Sequence, residues 1–307
     1  RPGRSRLGAL WRQSRFGRSY RRGGSQTVAA LQVDLDADVI VAPYFLIPDP
    51  CHDGLGVAVD GARETRARAG DRPVAANVCV DIDAILTEPA RAAYGDAFAE
   101  SQADIFFLTV VNLDEREATP DEVRAVLDLL ARLSQTAPSM LLYAGRIGLS
   151  AIAAGAVGYA GGTLELEAHP RSYLREGLVN LRANAHYLPG AMIKLPVRLA
   201  AAVAASVPAT DVANSPLATR LVQRERARRA IDSKTAETRW LGGYAESERE
   251  AALASRFEGA ITLCREAQSK LELANGEQLT RSAFHYLEVL RETAGGAKAE
   301  LLGDAGF

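Results

Sequence analysis

Acidic and amide side chains follow several of the apolar runs in the first half of the chain. Asp81 ends one run, and Asn112 and Asp114 follow the next. A carboxylate in such a position can transfer a proton, bind a divalent cation through its oxygens or accept a hydrogen bond from a polar ligand. We therefore treat Asp81, Asp114 and the later Glu165 as candidate catalytic residues.

A second group of residues is suited to binding an anion. Arg146 comes shortly after an apolar run, and Gly161 and Gly162 follow the next one. A guanidinium forms charge-assisted hydrogen bonds with phosphates and carboxylates, and glycine lets the backbone approach a ligand closely. These residues predict a site for a small anionic ligand. Further candidate ligand contacts lie at the ends of the same runs: Tyr44, Asn112 and Tyr159.

No set of metal ligands can be identified from residue spacing. The three cysteines, Cys51, Cys79 and Cys264, are too far apart for a disulfide framework or a four-cysteine zinc site. Cys51, His52 and Asp53 have the right chemistry for a metal or a nucleophile, but adjacent side chains project in different directions, so an ordinary turn is the favoured interpretation. The cofactor is therefore unknown, and a divalent metal on the strand-end carboxylates stays open.

Short apolar runs alternate with amphipathic stretches from about residue 27 to residue 165. The runs cover residues 38–45, 73–80, 104–111, 139–144 and 156–159. Strands that are apolar on both faces and separated by single helices indicate an α/β protein with a parallel sheet. The spacing of roughly 30 residues per unit, without a Gly-rich dinucleotide motif after the first strand, favours a parallel (β/α) barrel of the TIM type.

The number of strands limits this interpretation. Besides the five runs, one weaker candidate strand lies near residues 185–195, whereas closure of a TIM barrel takes eight strands. We therefore expect an open or incomplete barrel. One connecting helix is marked clearly by Thr119, Pro120 and Glu122, which are typical of a capped helix start, followed by an apolar stripe.

The charge pattern divides the chain into three parts: an Arg-rich N-terminal arm (1–24), a barrel-like domain (25–208) and a C-terminal helical region (209–307). The arm carries eight arginines and no acid. The first helix predicted in the helical region, 217–234, carries Arg220, Arg224 and Arg228 at i, i+4 spacing. Together the arm and this helix indicate contact with nucleic acid or an acidic protein partner; a solvated or salt-bridged face is the alternative.

Composition sets the broad class of the protein. The chain has 307 residues, of which 48% are hydrophobic and 24% charged, and a formal net charge of −2, so it predicts a globular protein of the cytoplasm. Its apolar runs are shorter than the roughly 20 residues that cross a membrane. The aromatic residues of the helical region are expected in its core: Trp240, Tyr244, Phe257, Phe284 and Tyr286.

The βα pattern, with Ala-Gly-Arg-Ile-Gly-Leu-Ser at 144–150 and Ala-Gly-Ala-Val-Gly-Tyr at 154–159, resembles barrels that handle phosphates or nucleobases. With its basic helical extension, the chain also resembles the tRNA-guanine transglycosylases in architecture. Their paired-cysteine zinc motif is absent here, and the resemblance implies no catalytic residue.

Three functions follow from these observations. The first is a barrel enzyme, of transferase or hydrolase type, acting on a small anionic, phosphate-, sugar- or nucleobase-containing ligand at the strand ends. The second is a nucleic-acid-binding or tRNA-modifying-like protein that uses the arm and helix 217–234. The third is a noncatalytic assembly protein that docks through the same segments.

Overall fold

A computed structural model describes residues 25–161, 185–210, 223–274 and 279–294. Its centre is a five-stranded parallel sheet in which the strands follow one another in chain order. These strands are β1 (Ile40–Val41), β2 (Val74–Asp81), β3 (Ile105–Val111), β4 (Ser139–Leu142) and β5 (Gly158–Ala160). An antiparallel pair follows, made of β6 (Ala185–Leu188) and β7 (Ile193–Pro196).

Helices connect the strands and continue beyond the sheet. The helices up to β5 are α1 (Ser25–Asp34), α2 (Gly54–Arg66), α3 (Glu88–Ala99), α4 (Pro120–Thr136) and α5 (Ile147–Ala153). Those after β7 are α6 (Val197–Ser206), α7 (Gln223–Gly242), α8 (Arg249–Ala274) and α9 (His285–Thr293). Helix α4 begins with the expected capping box between Thr119 and Glu122.

The four strongest apolar runs form adjacent parallel strands, as the sequence predicts. In β2 every residue is buried, because the strand is paired on both sides and each face is covered. The weaker candidate at 185–195 is different: it folds into an antiparallel hairpin rather than a further strand of the sheet. Pro189 and Gly190 lie in the turn between its two halves, and such a pair favours a reversal of the chain.

The prediction of an α/β fold with a parallel sheet is confirmed, but no closed barrel is formed by the residues that the structure describes. Right-handed crossovers between neighbouring strands place the connecting helices on one face of the sheet. Consecutive helices from α2 to α5 contact one another there. The arrangement is therefore an open sheet wound in one direction, with β1 and β5 at its edges.

Strand β1 is shorter than the run from which it was predicted. The backbone N–H of Ala42 donates to Ala75, and that of Ile47 donates to Cys79. Five residues of the first segment thus span four residues of β2, which is the geometry of a bulge. Pro43 lies in this interval and has no N–H to donate. The extra residue moves Tyr44 out of the strand pairing.

The two faces of the sheet have different side chains. On the helix-covered face, Val78, Val80 and Leu108 belong to the main hydrophobic core. The alternate residues of β2, Asn77, Cys79 and Asp81, point to the other face because successive side chains of a strand alternate. The core runs without interruption from the sheet to α8 and α9. Among the described helices, none has the length and apolar character needed to cross a membrane.

Candidate functional site

The carboxyl ends of β2 and β3 bring Asp81 and Asn112 together. The Asn112 side-chain amide donates to Oδ2 of Asp81 at 2.9 Å, and the backbone N–H of Asp83 donates to Oδ1 at 3.2 Å. Asp81 is only 7% exposed, while Asn112 is exposed. The carboxylate is therefore held in a fixed orientation with an accessible polar neighbour. Sequence reasoning singled out both residues, because parallel strands end at the same edge.

Two tyrosines and a cysteine lie beside this pair. Tyr44 and Tyr143 are 47% and 37% exposed. Burial raises the pKa of Tyr44, and electrostatic interaction with Tyr143 and Cys79 raises it further. Burial and the charge of Asp81 raise the pKa of Cys79 to about 12, so this thiol stays protonated at neutral pH. We call Tyr44, Cys79, Asp81, Asn112 and Tyr143 the rim cluster.

Two residues of the rim cluster have a left-handed backbone conformation. Asn112 has a φ of 66° and Tyr143 a φ of 56°, and they follow the adjacent strands β3 and β4. Asparagine tolerates this left-handed conformation, whereas a bulky residue such as tyrosine rarely adopts it. Strained residues persist where the surrounding structure holds them, and they are frequent in ligand sites.

Polar pairing continues below the rim on the same face of the sheet. The Thr109 hydroxyl donates to Oδ1 of Asn77 at 3.0 Å, and both residues are buried. This bond joins β2 to β3 beneath Asp81. The two strands that carry Asp81 and Asn112 are therefore joined by a buried side-chain hydrogen bond on this face.

The surroundings of the rim cluster are acidic. Burial raises the pKa of Tyr94, with further contributions from Asp49, Asp81 and Cys51, so Asp49 lies close enough to act on the same tyrosine as Asp81. Asp83 is exposed directly after Asp81. Such an environment favours a ligand that donates hydrogen bonds over one that carries negative charge.

Arg146 lies at the end of β4, as predicted, but it is engaged inside the protein. Its side chain pairs with Glu237 of α7 at 2.7 Å and its guanidinium lies 4.1 Å from the centre of the Tyr187 ring. Arg146 and Glu237 are 4% and 3% exposed. A carboxylate of the chain itself thus occupies a position that the sequence analysis assigned to an anionic ligand.

Two more residues, Tyr187 and Glu115, contact this pair. We call Arg146, Glu237, Tyr187 and Glu115 the Arg146 cluster. The Tyr187 hydroxyl donates to Glu237. Burial and the Glu237 carboxylate raise the pKa of Tyr187 well above its ordinary value, so it remains a neutral donor. Glu115 accepts from the backbone N–H groups of Arg146 and Ile147 at 2.5 and 3.1 Å.

The Arg146 cluster is packed tightly. A Cβ atom on Gly145 would lie 2.1 Å from a Glu115 carboxylate oxygen, so the carboxylate fits only because the residue is glycine. The cavity between Arg146, Lys194 and Lys234 has a volume of ≈ 10 Å³, which is about the space of one water molecule. A ligand the size of a phosphorylated metabolite does not fit there.

Three further predicted residues, Asp114, Tyr159 and Gly161, have other contacts in the structure. Asp114 accepts from Arg116 at 3.1 Å within its own loop. Tyr159 packs against the hydrophobic core. At Gly161 a Cβ atom would lie 2.2 Å from the carbonyl oxygen of Ala144, so glycine allows a close approach of two backbone segments. Gly162 and Glu165 lie outside the described residues.

The predictions of a metal and of a nucleic-acid partner remain open. Within the described ranges, no group of three His, Cys, Asp or Glu side chains is arranged to hold a metal ion. Residues 1–24, Arg220 and the side chain of Arg224 lie outside the described part of the chain. Arg228 is exposed on α7, 3.9 Å from Asp232.

The sequence analysis did not identify Tyr187 and Glu237 as partners of Arg146. Glu237 lies 91 residues after Arg146 in the chain, and nothing in the local pattern links them.

The sequence matches none of the protein-family models with which it was compared, and a comparison with curated proteins also found no match. The function must therefore be argued from the geometry of these two clusters.

Proposed function

We propose that the rim cluster is the ligand site of a transferase- or hydrolase-type enzyme built on a barrel-like (β/α) sheet, with a sugar- or nucleobase-containing ligand. One observation carries the proposal. The buried carboxylate of Asp81 is oriented by Asn112 and a backbone N–H at the ends of adjacent parallel strands. Ligands of parallel α/β sheets bind at this edge.

The side chains of the rim cluster favour this ligand class over an anion. Asp81 can accept hydrogen bonds from sugar hydroxyls or from the N–H groups of a base. The exposed rings of Tyr44 and Tyr143 can stack on a base or on the apolar face of a sugar. The nearby carboxylates of Asp49 and Asp83 would repel a phosphate, whereas a neutral donor-rich ligand is unaffected.

Asp81 is the group in the rim cluster that can exchange a proton. A positioned carboxylate takes up a proton from a hydroxyl or amine as a bond to that atom forms. Cys79 is a poor candidate for a nucleophile because its pKa, raised to about 12, leaves almost no thiolate at neutral pH. We therefore assign the proton transfer to Asp81 and ligand orientation to Asn112, Tyr44 and Tyr143.

The test is to measure by ligand-observed NMR whether the protein binds cytidine, guanosine or methyl β-D-glucoside. We compare the wild type with Asp81→Asn and with the matched control Asp114→Asn, which removes an equal charge from the loop after β3. Loss of a hydrogen bond to a charged group weakens binding by about ten- to a hundredfold. We expect this loss in Asp81→Asn and wild-type affinity in Asp114→Asn.

Two results would contradict the proposal. One is the absence of Asp81-dependent binding for all three probes. The other is tight binding of inorganic phosphate that is lost in Arg146→Gln. That result would show that the ligand site lies at the anion-binding residues predicted from the sequence.

A further inference from the structure

A groove lies between the end of α7 and the first turns of α8, formed by elements that do not contribute to the rim cluster. Its volume is ≈ 450 Å³, within the range of small-molecule sites. Trp240 and Tyr244 line one side, and Ala251, Ala252 and Ser255 of α8 line the other. The groove thus combines an aromatic side with a side of small residues that leaves space for a ligand.

The aromatic side is more open than the sequence predicts. Phe257 and Phe284 are buried in the helical core as expected, but Tyr244 is 38% exposed. The rings of Trp240 and Tyr244 meet edge to face with their centres 5.3 Å apart. This arrangement fixes both rings in place, so a planar ligand can pack on them with little loss of side-chain freedom.

Arg256 supplies a cation at this aromatic side. Its guanidinium lies 4.8 Å from the centre of the Trp240 ring. The Nε–H of Arg256 is buried and, among the described residues, has no hydrogen-bond partner. Buried donors are almost always satisfied in folded proteins, and a guanidinium is satisfied best by a carboxylate or phosphate. The groove therefore contains a fixed cation suited to an anionic group.

The neighbouring acids limit the size of the anion. Glu248 also lines the groove and accepts from the backbone N–H of Ala245 at 3.3 Å. Glu246 and Glu250 lie on either side of it in the chain. Glu248 lines the groove together with Arg256, and its carboxylate would repel a nucleic-acid strand, which presents a phosphate at every residue. A small ligand with one anionic group fits this charge distribution better.

We propose that this groove binds a small planar aromatic molecule that carries one anionic group, a carboxylate or a phosphate. The ring packs against Trp240 and Tyr244, and the anionic group binds Arg256. The site is independent of the function proposed for the rim cluster, because none of the rim residues lines it.

The test uses the full chain and follows the indole N–H signal of Trp240, one of two tryptophans in the sequence, by NMR. Trp240→Phe identifies that signal. Benzoate and adenosine monophosphate are the anionic probes, and benzyl alcohol and adenosine are their neutral counterparts. We expect at least one anionic probe to shift the Trp240 signal with a Kd below about 10 mM, and its neutral counterpart to bind at least about tenfold more weakly.

The matched variants are Arg256→Gln and Arg239→Gln. Arg239 is exposed on α7 next to Trp240 in the chain but does not line the groove. We expect Arg256→Gln to weaken binding by about tenfold or more and Arg239→Gln to leave it unchanged. If Arg256→Gln does not fold, the comparison of charged and neutral probes in the wild type still shows whether the anionic group contributes to binding.

Each outcome is decisive. Binding of benzoate alone identifies a carboxylate ligand, and binding of adenosine monophosphate alone identifies a phosphate ligand. Equal affinity for charged and neutral probes, equal loss in both arginine variants, or no shift of the Trp240 signal by either anion would overturn the proposal.

Discussion

At the end of β2, the buried carboxylate of Asp81 is held by a side-chain amide and a backbone N–H. At the end of β4, the buried guanidinium of Arg146 meets the carboxylate of Glu237 and the ring of Tyr187. Both residues follow parallel strands, so position alone does not separate them. The difference is that a buried carboxylate from a distant helix pairs with Arg146, whereas Asp81 is held beside an exposed amide and two exposed rings.

This difference shows how a binding residue can be told from a structural one at the same edge of a sheet. A buried ion pair is costly to break, because opening it leaves a buried charge without a partner. We therefore do not expect it to open for a ligand. A carboxylate beside an exposed amide and exposed rings lies where a ligand can reach its neighbours. Variants at Arg146, Tyr143 and Glu288 test this difference.

The largest effect is expected from Arg146→Met. The substitution leaves Glu237 buried without its cation, and loss of one partner of a buried pair costs about 3–5 kcal/mol. The free energy of unfolding in urea measures this. The control is Arg124→Met, which removes a half-buried arginine paired with the exposed acids Asp121 at 2.6 Å and Glu292 at 3.6 Å and should cost less than about 1 kcal/mol.

The double variant Arg146→Met, Glu237→Leu should recover much of the lost stability, because it removes the stranded charge. A loss below about 1 kcal/mol in the single variant would show that Arg146 is not a structural residue. The contrast with Asp81 would then fail.

An intermediate effect is expected from the strain at Tyr143. Tyr143→Gly and Tyr143→Ala remove the same ring, but only glycine adopts a φ of 56° without a clash of the Cβ atom. The glycine variant should therefore be more stable in urea by about 1–2 kcal/mol. At Tyr44, which is not among the residues with positive φ, the order should reverse. Equal stability of the two Tyr143 variants would mean that the rim stores no strain there.

The last effect is expected in the pH dependence of stability, at the charge cluster around Glu288. Burial alone would raise the pKa of Glu288, but hydrogen bonds from Arg281, His285 and Arg265 lower it from 4.5 to about 2. A carboxyl whose pKa is lower in the folded state stabilises the protein above about pH 4.5, and this contribution is lost as the pH falls towards about 2.

Glu288→Gln should therefore lower stability at neutral pH and flatten the loss of stability between about pH 4.5 and 2. Urea unfolding at several pH values measures the slope. Glu292→Gln, which removes an exposed acid of the same helix, should keep the wild-type slope. An unchanged slope in Glu288→Gln would show that the surrounding arginines do not stabilise its charge.

The sequence predicts well what depends on neighbouring residues. The apolar runs of β2 and β3 and the capping box at Thr119 are local signals, and each appears in the structure as predicted. Asp81 and Asn112 were predicted to share an edge because parallel strands align their ends. Pro43 and the Pro189–Gly190 turn explain where the strands depart from the predicted runs.

The sequence could not predict contacts between distant segments. Arg146 was placed correctly at a strand end, but its use depends on Glu237, which no pattern of spacing connects to it. Trp240 and Tyr244 have the spacing of core residues on a helix, and only the packing of α8 against α7 decides that they line a groove. Burial and partners, rather than residue type, separate binding from structural roles here.

The uninterrupted hydrophobic core has a consequence for cooperativity. It joins Leu108 and Leu130 near the sheet to Phe257 and Leu287 in the late helices. A fragment that ends near residue 208 would expose the helix surfaces that α8 and α9 cover. The sheet and the late helices should therefore unfold together in a single calorimetric transition. Proteolytic cleavage within either part should likewise cause the other part to unfold.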